Sequence, residues 1–163
     1  MAKEWRFQTE ACIGGVRTAG VLVRDGRIFL QRDADGDAYA LPGGHIRIGE
    51  TLEDGLIREY REETGVPIRC RRLLWSEESF WTWRDRQTHT IAFYYLIEPE
   101  EGAALPDCGA FVPDKDNGSV VLGWVPIDAL EALTIYPPFL KEEIHCLDGP
   151  VRHFISTDQG VTR

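Results

Sequence analysis

Glu59, Glu62 and Glu63 stand at i, i+3 and i+4. On a helix turning about 100° per residue they share an arc of roughly 100°. Three negative side chains on one stripe repel by a few tenths of a kcal/mol per pair unless a cation neutralises them. Mg²⁺ suits such a stripe, because it takes a few carboxylates, keeps some waters and leaves room for substrate phosphates. Arg58, beside Glu59 on the helix's other flank, can hold a carboxylate through a bidentate pair. Upstream, Gly43-Gly44 lets backbone approach a ligand where a side chain would not fit. An acidic run of Glu53, Asp54, Glu59, Glu62 and Glu63 is by itself what a solvated helix face carries. The fixed spacing of Gly43, Gly44, Glu50, Gly65 and Val66 around it points instead to a site.

The elements that must position these residues are legible around them. Thr51 and Asp54 form a capping box and Gly65 supplies a C-terminal stop, which predicts a helix over residues 52–64 with Leu52, Leu56 and Tyr60 as its apolar face. Two β-rich runs, 19–24 and 27–32, flank Asp25-Gly26, a type I′ hairpin signal. Residues 39–44 form a short extended stretch. Residues 66–75 and 88–97 read as strands, the second apolar enough to lie centrally, with a polar, aromatic connection over 76–87. A Gly- and Pro-punctuated loop over 99–118, a strand over 119–125, short helices over 127–133 and 138–147 and an edge strand over 151–156 complete the pattern. Interleaved strands and helices indicate an α/β or α+β class with helices covering a mixed sheet.

Residues 44–66, running from Gly44 through Glu50, Arg58, Glu59, Glu62 and Glu63 to Gly65-Val66, resemble the Nudix box, G-x5-E-x7-R-E-U-x-E-E-x-G-U, where U is a bulky aliphatic. Every fixed Gly, Glu and Arg is in place. Tyr60 departs from the usual aliphatic, and its position on the apolar face makes this a matter of packing more than chemistry. The resemblance implies a Nudix fold, an α/β/α sandwich around a mixed β-sheet. It also implies a Mg²⁺- or Mn²⁺-dependent pyrophosphohydrolase that cleaves a nucleoside diphosphate linked to another moiety. Nucleotide sugars, ADP-ribose and nucleoside triphosphates all qualify. By match to the box, Glu59, Glu62 and Glu63 are metal ligands, Glu59 or Glu63 the base, and Arg58 their orienter. Glu50 is an inner or outer ligand, and the Gly43 and Gly44 backbone lies against the metal or phosphate. Two rivals share the fold: a non-catalytic nucleotide-binding module, which ordinarily loses box carboxylates, and an isopentenyl-diphosphate-isomerase-like enzyme, which needs a cysteine and a glutamate beside an apolar pocket.

Other residues are weaker candidates. Arg32 at a strand end can contact a phosphate. Trp81 and Trp83 can stack on a base or plug a sheet edge, with the second favoured. His89 reads as a structural histidine, and Asp114 and Asp116 as solvated loop carboxylates. With 163 residues, no repeat and no linker, one domain over 1–163 is expected. Eighteen basic against 27 acidic residues give a net charge of −9, which disfavours nucleic acid as a partner. A local patch of Arg69, Arg71, Arg72, Arg84 and Arg86 would weaken that objection. Cys12, Cys70, Cys108 and Cys146 lack metal or redox spacing and read as buried small hydrophobes. The absence of an apolar signal core or spanning run suggests a cytoplasmic protein without a membrane partner. The resemblance is compatible with a homodimer.

Overall fold

Asp25 and Gly26 both adopt positive φ, 50° and 71°, as a type I′ turn requires. They join β3 (Val23–Arg24) to β4 (Arg27–Asp33) in the computed structural model of the chain, which describes residues 3–107 and 109–163. Before this hairpin come β1 (Arg6–Gln8) and β2 (Cys12–Val21). After it come β5 (Ala38–Ala40), β6 (Gly43–His45) and α1 (Leu52–Thr64). The chain continues through β7 (Ile68–Trp83), β8 (Arg86–Pro99), β9 (Val112–Pro113) and β10 (Val120–Pro126). A 3-10 helix (Ile127–Ala132), β11 (Thr134–Tyr136), α2 (Leu140–Glu143), β12 (Arg152–Thr157) and β13 (Gly160–Thr162) close it.

Two mixed sheets result. One runs β1-β2-β8-β7-β12-β13, with β6 paired to β2, and is parallel at β2–β8 and β7–β12. The other runs β11-β5-β4-β10-β9, with β3 on β4. The chain passes between them at Leu22, so the expected first strand is two: β2 serves one sheet and β3 the other.

Helix α1 has the predicted limits because its caps are satisfied. Thr51 Oγ1 accepts from the Asp54 amide at 3.1 Å, and Gly65, at φ 73°, donates its amide to the Arg61 carbonyl at 3.0 Å. Leu56 and Tyr60 are fully buried against Phe29, Leu122 and Trp124. Tyr60 is thus a core residue, as its place on the apolar face implied. A second core, holding Leu30, Trp75, Tyr94, Phe139 and Phe154, packs around α2 and β12.

Several expectations need correction. The polar connection over 76–87 is instead the continuation of one long hairpin, β7–β8, turned by Arg84 and Asp85 at positive φ. Its outer half reads as loop because Trp81, Trp83 and their neighbours stand exposed, with no buried face to impose alternation. The expected helix over 138–147 shrinks to α2, and that over 127–133 is 3-10. Strand β12 is not an edge; β13 flanks it. Cys12 and Cys70 are only half-buried, Cys146 is exposed, and Cys108 lies outside the described residues. No helix among those residues is long and apolar enough to cross a membrane.

Candidate functional site

Arg58 organises the box. Its Nε and Nη2 donate to the two Glu50 carboxylate oxygens at 2.7 and 2.9 Å, and its Nη1 donates to Glu59 Oε1 and, at 3.1 Å, to Glu62 Oε2. Nη2 also reaches the His45 carbonyl at 3.2 Å, tying α1 to β6. The planar fork of arginine makes this many-sided grip feasible. Glu50 additionally accepts the Arg47 amide at 2.8 Å. Its carboxyl is held below the ordinary range, first by Arg58. Glu50 therefore braces Arg58, which in turn sets Glu59 and Glu62.

Gly44 lies so close to Glu59 that a Cβ there would come within 2.9 Å of Oε1 and nearer still to Oε2. The fixed glycine of the box is thus explained by space. Burial raises the Glu59 pKa, opposed by Arg58. One turn on, Glu63 is pushed up to about 8, first by burial, then by Asp114 and Glu59, with Arg17 and the Gly43 amide opposing. Its Oε2 is buried and has no hydrogen-bond partner among the described residues. Asp114 itself is buried, and its Oδ1 accepts the amides of Asp116 and Asn117 at 2.7 and 2.9 Å. The Lys115 amide docks that turn on the Glu63 carbonyl at 2.8 Å. Asp114 was expected to be solvated and is not; Asp116 is exposed as expected.

These carboxylates test the site's fit to a divalent cation. Among the described residues, no three His, Cys, Asp or Glu side chains are already gathered as a metal cage, and Arg58 engages Glu59 and Glu62. Two observations nevertheless fit a hard cation: the orphaned Glu63 Oε2, and the side-chain-free Gly44 backbone against Glu59. Both provide the oxygen donors that Mg²⁺ prefers.

Beside the box, a cleft of about 560 Å³ opens over the larger sheet. Arg17, Glu77, Trp81 and Tyr94 are among its lining residues. Arg17 forms no ion pair within 4 Å among the described residues, and its Nη2 donates to the Gly43 carbonyl at 3.2 Å. Glu77 is 4% exposed and accepts the Tyr94 hydroxyl through Oε2. Sequence reasoning missed Arg17, Glu77 and Tyr94. A lone charge within the apolar run 13–21 was the available signal for Arg17. Glu77 could be placed only once β7 was known to continue past Trp75.

The remaining candidates separate. Arg32 Nη1 donates to the carbonyls of Asp33, Ala34 and Gly36 at 2.9, 2.8 and 3.2 Å, and its guanidinium lies over Phe111, so it shapes the loop after β4. His89 stacks on Phe80, lies 3.6 Å from Glu78 and does not line the cleft. Trp81 lines the cleft, whereas the exposed Trp83 does not and has the guanidinium groups of Arg84 and Arg86 over its ring. The basic patch does not form. Arg69 and Arg71 pair with Glu98, Arg72 donates to the Gly149 carbonyl, and Arg84 and Arg86 sit at the far, turn end of the β7–β8 hairpin, roughly 40 Å away along the strands.

Comparisons with known proteins identify the family. The NUDIX domain family model matches residues 15–145. The chain is 42% identical over 151 residues to a MutT-like protein of Streptomyces ambofaciens, covering 92% of this chain and 88% of that protein. It is 31% identical over 86 residues to an ADP-ribose pyrophosphatase of Methanocaldococcus jannaschii, covering 51% of this chain and 50% of the relative. It therefore spans most of the first relative's length but only half of the second's. The fold is also similar to the crystal structure of a MutT protein from Bacillus halodurans, with TM-score 0.60 at 18% identity, covering 89% of this chain and 92% of that one. With the box intact and matches over most of its length, the chain belongs to the NUDIX domain family and takes its place among the Nudix pyrophosphohydrolases.

Proposed function

We propose that this chain, working as one domain over residues 1–163, is a Mg²⁺-dependent hydrolase of the pyrophosphate linkage in a nucleoside diphosphate joined to another moiety, with Mn²⁺ able to substitute. One observation carries the reading: the buried Glu63 Oε2, without a hydrogen-bond partner among the described residues, beside Glu59 and Asp114. A cation would relieve the mutual repulsion of these groups and satisfy the orphaned oxygen. Glu59, Glu62, Glu63 and the Gly43–Gly44 backbone would hold it. When bound, such an ion neutralises phosphate oxygens and acidifies a water.

The chain's own residues supply the rest. Glu50 and Arg58 fix the carboxylates in direction, so that little reorganisation is needed at the moment of reaction. Glu59 and Glu63 are the two candidate proton acceptors; Arg58 engages Glu59 Oε1, whereas no arginine or lysine pairs with Glu63 among the described residues. Arg17, facing the cleft beside Gly43, is placed to bind a phosphate of the substrate. The complete set of box carboxylates supports turnover over a purely binding module. No cysteine among the described residues lines the cleft, which weighs against isomerase chemistry.

The test is a panel of nucleotide sugars, ADP-ribose and nucleoside triphosphates incubated with Mg²⁺ or with EDTA, with both products identified. Hydrolysis at a phosphoanhydride that stops on chelation is expected. No hydrolysis of any member, or hydrolysis indifferent to EDTA, contradicts the proposal.

A further inference from the structure

The cleft has a polar floor of which the phosphate chemistry uses only Arg17. Sheet register places Arg17, Ala92 and Glu77 in one row across β2, β8 and β7, and all three line the cleft. Adjacent strands lie about 4.8 Å apart, so Arg17 and Glu77 are separated by roughly 10 Å. The small side chain of Ala92 leaves the space between them open. Arg17 borders the box through Gly43. Glu77 lies two strands along that row from Arg17.

Glu77 is buried, and no lysine or arginine pairs with it among the described residues. Its one hydrogen bond there comes from Tyr94, whose ring is wedged edge-on against Phe139 at 5.7 Å between centroids and whose hydroxyl fixes Oε2. Oε1 receives no hydrogen bond from the described residues. Nearby, Ser156 Oγ is buried and has no partner among the described residues, and Ser156 also lines the cleft. Trp81 and Tyr136, both exposed, stand among the lining residues as stacking surfaces. An ionised carboxylate only accepts hydrogen bonds. A buried one that faces a cleft calls for a ligand edge made of donors.

We propose that this cleft holds the nucleobase of the substrate, and that Glu77, positioned by Tyr94, selects a guanine-type edge. In that edge a ring N–H and an exocyclic amino group lie side by side and can meet both carboxylate oxygens. Adenine sets an acceptor nitrogen beside its amino group, and uracil flanks its single N–H with carbonyls. Each would turn a lone pair toward the carboxylate. Hypoxanthine keeps the ring N–H but lacks the amino group. The inference rests on the pyrophosphohydrolase reading above, whose substrates are nucleotides, and names which of them the cleft prefers. Glu77 acts here as a specificity residue, separate from the box.

The test is calorimetric binding of GDP, IDP and ADP to the full chain in EDTA, which reads base selection without catalysis. GDP is expected to bind at least tenfold more tightly than either competitor, since an unmatched buried polar group is costly. In Glu77→Gln, which adds a donor where an acceptor stood, that preference should fall to within about threefold. Equal wild-type affinity for the three bases overturns the proposal, whatever the variant does. An undiminished preference in a folded Glu77→Gln overturns the assignment to Glu77. Should Glu77→Gln fail to fold, Tyr94→Phe keeps the carboxylate, removes its tether and should narrow the preference; an unchanged preference there counts against the proposal. Hydrolysis of nucleotides without base preference removes this inference and leaves the pyrophosphohydrolase reading intact. Guanine-selective binding without hydrolysis does the reverse.

Discussion

Arg58 and Glu50 meet as a two-pronged pair, Nε to Oε1 at 2.7 Å and Nη2 to Oε2 at 2.9 Å, with each side chain only 15% exposed. The pair joins the loop before α1 to the middle of the helix. Because Arg58 also grips Glu59 and Glu62, the pair fixes the direction of the site's carboxylates.

Removing the guanidinium should therefore damage both stability and chemistry. Arg58→Met leaves Glu50 partly buried without a counter-charge, and a loss of about 2–4 kcal/mol is expected. Arg58→Lys keeps the charge but loses the fork, so its fold should be closer to wild type while activity still falls at least tenfold. Urea denaturation and steady-state kinetics on both variants check this. Equal activity of Arg58→Lys and wild type would contradict the positioning role.

Gly44→Ala should disable the site through space alone. The added methyl would lie within 2.9 Å of Glu59 Oε1, and Glu59 must turn away to make room. A fall of at least 100-fold in kcat with a smaller change in KM is expected. Near-native kinetics would mean that the carboxylate does not work in the position seen here.

Glu63 predicts a pH dependence of the metal-free fold. Its folded pKa, about 8, lies above the ordinary carboxyl value of 4.5. The folded state thus binds the proton more tightly, and this contribution to stability is lost as pH rises from about 4.5 to 8. In EDTA, the Tm should decline by several degrees over that window, and Glu63→Gln should flatten the decline and be the more stable protein at pH 8. Thermal scans at five pH values decide; parallel profiles for the two proteins refute it.

Cysteine reactivity offers an independent check on the surroundings of β7. Burial, with Glu53 and Asp54 adding to it, pushes the Cys70 thiol up to about 12. Only about one part in ten thousand is then thiolate at pH 8. Iodoacetamide at that pH should label exposed Cys146 and spare Cys70, as read by peptide mass spectrometry. Rapid labelling of Cys70 would contradict the burial.

The sequence was most readable where local chemistry determines structure. Thr51, Asp54 and Gly65 bound α1 without help from tertiary contacts, and Asp25-Gly26 turns the chain by its own preference. The box carried its own spacing, so Arg58, Glu59, Glu62 and Glu63 could be named directly. The outer hairpin could not be read, because Trp81 and Trp83 are exposed strand residues. Asp114 stayed hidden for another reason: its burial depends on the Lys115 amide reaching Glu63, a contact across more than 50 positions of chain. Arg17 and Glu77 share a cleft only through the pairing of β2, β8 and β7, which no local pattern specifies.

The most direct test of the central claim is Mn²⁺ binding followed by electron paramagnetic resonance in the wild type, Glu59→Gln and Glu63→Gln, with folding checked by circular dichroism. The account predicts saturable binding in the wild type, weakened at least tenfold in each folded variant. Equal affinity in all three proteins, or no saturable binding in any, would contradict the assignment of these carboxylates as the metal site.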